Sequence, residues 1–219
     1  MTKNTLILLT FFLSLQSFAA TVVGIVRSVH DGDTIRIIEP GKVKETRIRF
    51  LGVDTPEIDF QGHGQGQIAY DARDFLKQLT PIGSEVKIVT GPETHDKNNR
   101  VLGRVMSNGV DVNGELLRQG MGAMYFIAPY DDEVVKKYVQ YAKEAYFNKR
   151  GLFSYDKVEA QLPYNFRMSV RGYVGNNFVA NYETKKLYHP EEVEQVPPYA
   201  RVFFKYEDMA LKKGFTWRE

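Results

Sequence analysis

The chain contains no cysteine. Disulfide staples, thiolate metal ligation and a lipid-modified cysteine are all excluded, and the fold must hold by packing. A strong charge bias is also missing: 29 Lys and Arg against 27 Asp and Glu leave a formal net charge of +2. Long-range attraction to a polyanion is therefore excluded as the basis of binding, and an anionic ligand has to be held by a local arrangement of charges. No hydrophobic run reaches the length of a comfortable bilayer span. What is present, 219 residues with 43% hydrophobic content, suffices for one good core and a second small one.

The longest apolar run, Leu6 to Leu15, sits in "MTKNTLILLTFFLSLQSFAA" behind Lys3 and ahead of small residues. That is the layout of a secretory leader, with cleavage expected after Ala19 because Ser17 and Ala19 then occupy the small-residue positions. The expectation for residues 1–19 is a signal peptide. The remainder is expected to be secreted or periplasmic, with no membrane insertion once the leader is removed.

Strands are expected in "TVVGIVRSV" from Thr21, "TIRII" from Thr34, "ETRIRFL" from Glu45, "EVKIV" from Glu85 and "RVLGRVM" from Arg100, by alternation and β-branched content. "QGHGQGQ", Gln61 to Gln67, has too little apolar matter to pack and reads as a mobile surface loop, and "TGPETHDKNN" reads as a polar loop. Ile68, Ala72, Phe75, Leu76 and Leu79 fall at helical spacing ahead of Pro81 and Gly83. A short helix is expected in "VNGELLRQG", ending at Gly120 in a left-handed cap. A longer one starts at Asp131 and carries Val134, Val135, Tyr138, Ala142 and Ala145 as an apolar stripe. The fold class implied is mostly β with α: a five-stranded OB-fold β-barrel covered by three helices.

The chemistry-bearing residues flank the hairpin of the second and third strands. If residues whose numbers sum to about 84 face one another, Asp33 of "DGDT" lies opposite Leu51 and close to "GVDTPE", so Asp33 and Asp54 can share one ion. Two clustered carboxylates without a cation repel. Ligands made only of oxygen favour a hard cation, and a loop able to add backbone carbonyls and waters suits calcium better than magnesium. The acidic spacing of an EF-hand is absent. Arg49 lies on the non-core face of the third strand, Glu57 follows Asp54, and Arg100 stands at the start of the fifth strand. Phosphodiester cleavage needs such a set: cationic groups to offset phosphoryl charge and a carboxylate to orient the attacking water. Arginine offers phosphate two parallel donors. Singly, each feature has a plain structural explanation, as a turn, a loop or a solvated side chain; their joint occurrence is far more specific.

"DGDT" at Asp31 to Thr34, "RFLGVDTPE" at Arg49 to Glu57, "DKNNR" at Asp96 to Arg100 and "VNGELLRQGMG" at Val112 to Gly122 together resemble the thermonuclease family, the staphylococcal nuclease type, over about residues 21–153. The resemblance implies an OB-fold and calcium-dependent cleavage of DNA and RNA leaving 3′-phosphate ends. It implies calcium ligation by Asp33 and Asp54 through their side chains and by Thr55 through its carbonyl. Glu57 would position or deprotonate the water, and Arg49 and Arg100 would grip the phosphate. Lys97 and Tyr125 match substrate-contacting positions. Asn98 and Ile127 stand where the staphylococcal enzyme has tyrosines, a loss of stacking surface when stacking contributes about 1 to 3 kcal/mol per base. His30, His63 and His95 read as solvated.

After Phe153 the pattern changes. "QLPYN" breaks helical rhythm, "GYVGNNFVANYETKKLYH" reads as a hairpin, "PPYARVFF" as a strand and "KYEDMALKKGF" as a short helix ending at Gly214. Residues 164–219 are thus expected to form a small α+β extension to a nuclease domain at 20–155. The extension faintly resembles small metal-binding-like modules, but those use cysteines, and His189 alone cannot make a zinc site. The functional expectation is an exported, monomeric, calcium-dependent nuclease preferring single strands. The alternatives are an exported OB-fold module that binds nucleic acid without cutting it, and an envelope protein with structural calcium whose arginines pair only with protein carboxylates.

Overall fold

The structure, a computed structural model, describes residues 20–156 and 158–219. The leader expected at 1–19 lies outside the described residues. Five strands close a barrel: β1 (Thr21–Asp31), β2 (Thr34–Ile38), β3 (Thr46–Phe50), β5 (Glu85–His95) and β6 (Val101–Ser107), between which fall the short β4 (Gly52–Asp54) and helix α1 (Gln67–Leu79). β1 pairs with both β2 and β5, β5 with β6, and the parallel β3–β6 pairing shuts the ring. β7 (Val110–Asp111) leads into α2 (Val112–Arg118), then β8 (Ala123–Ile127) and α3 (Asp132–Phe147). This is an OB-like barrel with three helices packed on it, as expected. Among the described residues no helix is long and apolar enough to cross a membrane.

The β2–β3 register differs by one from the expected sum. Thr34 faces Arg49 and Ile35 faces Ile48. The sum of 84 would have set Ile35 against Arg49 and put an arginine on the core face; pairing Ile35 with Ile48 keeps both in the core, so hydrophobic patterning overrides turn counting. β5 also runs further than expected, through "TGPETH", leaving only Asp96–Arg100 as the loop before β6.

Beyond α4 (Val158–Gln161), helix α5 (Pro163–Arg171) occupies the stretch read as a break. Pro163 stands at its first turn and Gly172 closes it in the left-handed conformation at φ 70°, so the proline starts this helix rather than ending one. β9 (Phe178–Asn181) and β10 (Lys186–Tyr188) form the expected hairpin, followed by β11 (Arg201–Phe204), α6 (Glu207–Lys212) and β12 (Thr216–Trp217). The extension does not stand apart. β11 pairs in parallel with β8, making one sheet in the order β12-β10-β9-β11-β8-β4. Val202, Phe204, Ala210 and Phe215 belong to the same buried cluster as Ile35, Ile48 and Phe126.

Two residues fix the junction that carries the site. Gly52 turns the chain from β3 into β4 at φ 77°, and a Cβ there would meet the Phe126 ring at 2.2 Å, so glycine is required by conformation and by space. Asn113, fully buried, accepts from Val105 N at 2.8 Å and donates to Leu51 O at 2.9 Å and Gly103 O at 3.2 Å. It ties α2, β6 and the β3–β4 turn together. Asn113→Ala should lower unfolding free energy by about 2 to 4 kcal/mol, because a cavity opens and the side-chain hydrogen bonds to Val105 N and Leu51 O are lost; urea denaturation measures it, and a loss under about 0.5 kcal/mol would remove Asn113 from this role.

Candidate active site

Asp33 reaches the β4 end because Gly32 lets the β1–β2 turn press against the neighbouring loop: a Cβ on Gly32 would lie 2.7 Å from Thr55 Cβ and Oγ1. Asp33 Oδ2 accepts from Thr55 N at 2.9 Å and pairs with Arg49 Nη1 at 2.7 Å. Arg49 also donates to Val53 O at 2.8 Å and, through Nη2, to Asp54 Oδ1 at 3.0 Å. One guanidinium from β3 thus spans both aspartates, and Asp54 is only 1% exposed.

A second guanidinium closes the group from α5. Arg167 donates from Nη1 to Asp54 Oδ1 and from Nη2 to Asp54 Oδ2, each at 2.8 Å, while Nη1 also reaches Glu57 Oε1 at 2.8 Å. Nothing in the carboxylate pattern announced it. The detectable signal was the helix that delivers it, a stretch opened by Pro163 and closed by Gly172. Gln65 was likewise passed over in a loop read as mobile. Its Oε1 accepts from Glu57 N at 3.0 Å, its Nε2 donates to Gln161 O at 2.8 Å, and its own N donates to Glu57 O at 2.9 Å. Gln65 therefore fixes the Glu57 backbone and ties the loop to α4.

The expected substrate residues stand outside this network. Arg100 is committed to Asp96, with Nε 2.7 Å and Nη2 2.6 Å from Oδ2, and the same carboxylate caps the loop through Asn98 N and Arg100 N. Arg47 holds that loop to β3 by donating to Asn98 O at 3.0 Å. Lys97 is exposed on it. Tyr125 lies beside the cluster, but its ring packs against Tyr164 and Phe203 at 5.9 and 4.9 Å between centroids, and Arg167 stands 5.8 Å from its centre. Burial pushes its hydroxyl up to about 12.

Electrostatics follow from crowding. Burial, and next the charge of Asp33, push the Asp31 carboxyl up to about 7. Burial also raises Glu57, against the opposing pull of Arg167. For both arginines burial works against the charge, yet their carboxylate partners prevail and hold Arg49 and Arg167 firmly protonated. Among the described residues, no three carboxylate, imidazole or thiolate groups converge closely enough to enclose an ion as they stand. The donor chemistry nonetheless fits a hard divalent cation. Asp33, Asp54 and Glu57 are joined through shared guanidiniums and offer oxygen donors only.

Comparison with known sequences gives the family. The family described as Staphylococcal nuclease homologue matches residues 47–155. The chain is 32% identical to an "Uncharacterized endonuclease" of Escherichia coli over 67% of its own length and 87% of that protein. It is 30% identical to "Endonuclease YhcR" of Bacillus subtilis over 90% of its own length, and 29% identical to "Endonuclease YncB" of the same organism over 57%. It spans 17% of the former and 58% of the latter.

The Asp31 shift has a defined sign. A carboxyl raised by folding stabilises the folded state fully below its unfolded value and ceases to do so as pH climbs through its folded one. Calcium-free protein should therefore lose stability between about pH 4 and about pH 7. Asp31→Asn, which can still accept from Asp33 N, should flatten that decline in thermal unfolding; an unchanged slope would assign the decline to another group.

Proposed function

The chain belongs to the staphylococcal nuclease homologue family, and on that footing we propose that it is a nuclease hydrolysing phosphodiester bonds of DNA and RNA with calcium bound. The observation that carries this reading is the Arg49 guanidinium spanning Asp33 and Asp54 at the mouth of a barrel, with Glu57 in the same hydrogen-bonded group. Asp33, Asp54 and the Thr55 carbonyl would hold the cation, which supplies charge to offset the phosphoryl oxygens.

This chain's residues do the rest. Burial raises Glu57, which makes its ionised carboxylate a stronger proton acceptor, and Gln65 holds its backbone still while it orients or deprotonates the attacking water. Arg49, held on a strand paired on both sides, would present donors to a phosphate oxygen. Arg100 would leave Asp96 to grip the phosphate from the opposite loop, at a smaller cost because that pair, with side chains 24% and 17% exposed, is less buried than the Arg49 pairs. Unpaired strands fit best, since the scissile group must approach an aspartate that is 1% exposed. Cleavage leaving a 3′-phosphate, action as a monomer and export by the residues 1–19 leader complete the proposal. That Arg49 and Arg100 now face protein carboxylates keeps the structural-calcium reading as its competitor.

Full-length protein should digest denatured DNA and RNA with calcium, stop on chelation and leave 3′-phosphate ends. Glu57→Gln should lower kcat by about 10²-fold or more with little change in melting temperature. Undiminished turnover in that variant, or none in the native protein with any divalent ion, would defeat the reading.

A further inference from the structure

The contact that the family resemblance does not explain is Arg167. Its guanidinium comes from α5, beyond the residues matched to the family, yet it lies on Asp54, assigned above to the cation, and on Glu57, assigned to the water. Both Asp54 oxygens accept from it in parallel, and its third contact is Glu57 Oε1. With Arg49 on Asp54 Oδ1 as well, the acceptor directions of Asp54 are largely taken. A cation placed beside an undisturbed Arg167 would meet a fixed positive charge at hydrogen-bond distance from its own ligands. The Arg167 side chain is 13% exposed and that of Asp54 2%, so solvent does little to screen the conflict.

We propose that Arg167 is an intramolecular stand-in for the divalent cation: it docks on Asp54 and Glu57 when no metal is bound and must leave them for calcium to bind, so that α5 acts as an autoinhibitory latch. The proposal rests on the metal-dependent reading above. Two features suit α5 to the role. The helix is short, nine residues, and it is joined to α3 through a segment containing the brief α4. Tyr164 also anchors the helix by aromatic contacts with Tyr125 and Phe203 at 5.9 and 5.0 Å, which need no change in charge when the guanidinium leaves. Docked, Arg167 offsets the buried carboxylates, so the metal-free site does not pay the full cost of unpaired charge. Calcium takes over that compensation, so metal uptake and release of Arg167 are two sides of one exchange.

The test is calcium titration of full-length protein by calorimetry, in the native sequence, Arg167→Gln and Arg167→Lys, with melting temperatures in chelator and in saturating calcium. Arg167→Gln should bind calcium at least about tenfold more tightly, the gain expected when the docked form holds about nine-tenths of the population. It should melt below the native protein in chelator and level with it in calcium. Arg167→Lys, a point charge unable to engage both Asp54 oxygens in parallel, should fall between. In the native protein, the guanidinium Nε–H resonance of Arg167, identified by its absence from Arg167→Lys, should shift on adding calcium, a readout that survives if Arg167→Gln fails to fold. Calcium affinity unchanged or weakened in both variants, with stability lowered equally in chelator and in calcium, would make Arg167 structural and overturn the latch. Unchanged calcium affinity with a raised KM for DNA would overturn it in favour of phosphate gripping. If neither native protein nor variants bind calcium, the metal-dependent reading fails and takes the latch with it; if the native protein binds calcium and its Arg167 resonance does not move, only the latch fails.

Discussion

A carboxylate held between two guanidiniums, Asp54 between Arg49 and Arg167, is the interaction around which this molecule is arranged. Asp54 sits at the end of β4, paired to β8 and almost out of contact with solvent. A charge in that position costs several kcal/mol unless it is compensated with good geometry. The compensation arrives from two distant parts of the chain, one on a barrel strand and one from the extension. Asp54 therefore also joins the two parts of the fold.

The barrel contributes precision to this arrangement. Hydrophobic pairing of Ile35 with Ile48 sets the β2–β3 register, and that register decides how far Arg49 stands from the β1–β2 turn. Gly32 allows the turn to close on Thr55, and Asn113 pins Leu51 just ahead of β4. Each is a backbone-level constraint, so the acidic side chains are presented by strand ends and tight turns rather than by free loops. The extension contributes coverage. β11 continues the sheet from β8, Tyr164 and Phe203 close over Tyr125, and α5 brings Arg167 onto the cluster. The cost of this coverage is access: the surface that would meet a base at Tyr125 is already in contact with protein.

Much of this was legible in the linear text because the features concerned are local. Alternation over Thr34–Ile38 and Thr46–Phe50, the helical spacing from Ile68, the Asp131 cap, and the ordered appearance of "DGDT" and "GVDTPE" depend on neighbours within one element or one hairpin. These determined the barrel and the nearness of Asp33 to Asp54, which share the Arg49 guanidinium. The error of one in the hairpin register came from counting through a turn whose geometry composition does not specify, where packing of the two inner faces decides.

What tertiary structure alone settled is who shares charge with whom. Arg167 lies 113 positions from Asp54 in sequence, and an arginine in an amphipathic helix carries no mark of its partner, because ion pairing at a distance is fixed by how sheets and helices stack. The same holds for Gln65, for the retreat of Arg100 onto Asp96, and for the fusion of the extension with the barrel through β8 and β11. Local periodicity determined the elements and the positions of the acidic side chains; the closing of one sheet across both halves of the chain decided which cationic side chain those carboxylates face, because burial forces a partner on every charge and only the packed arrangement supplies it.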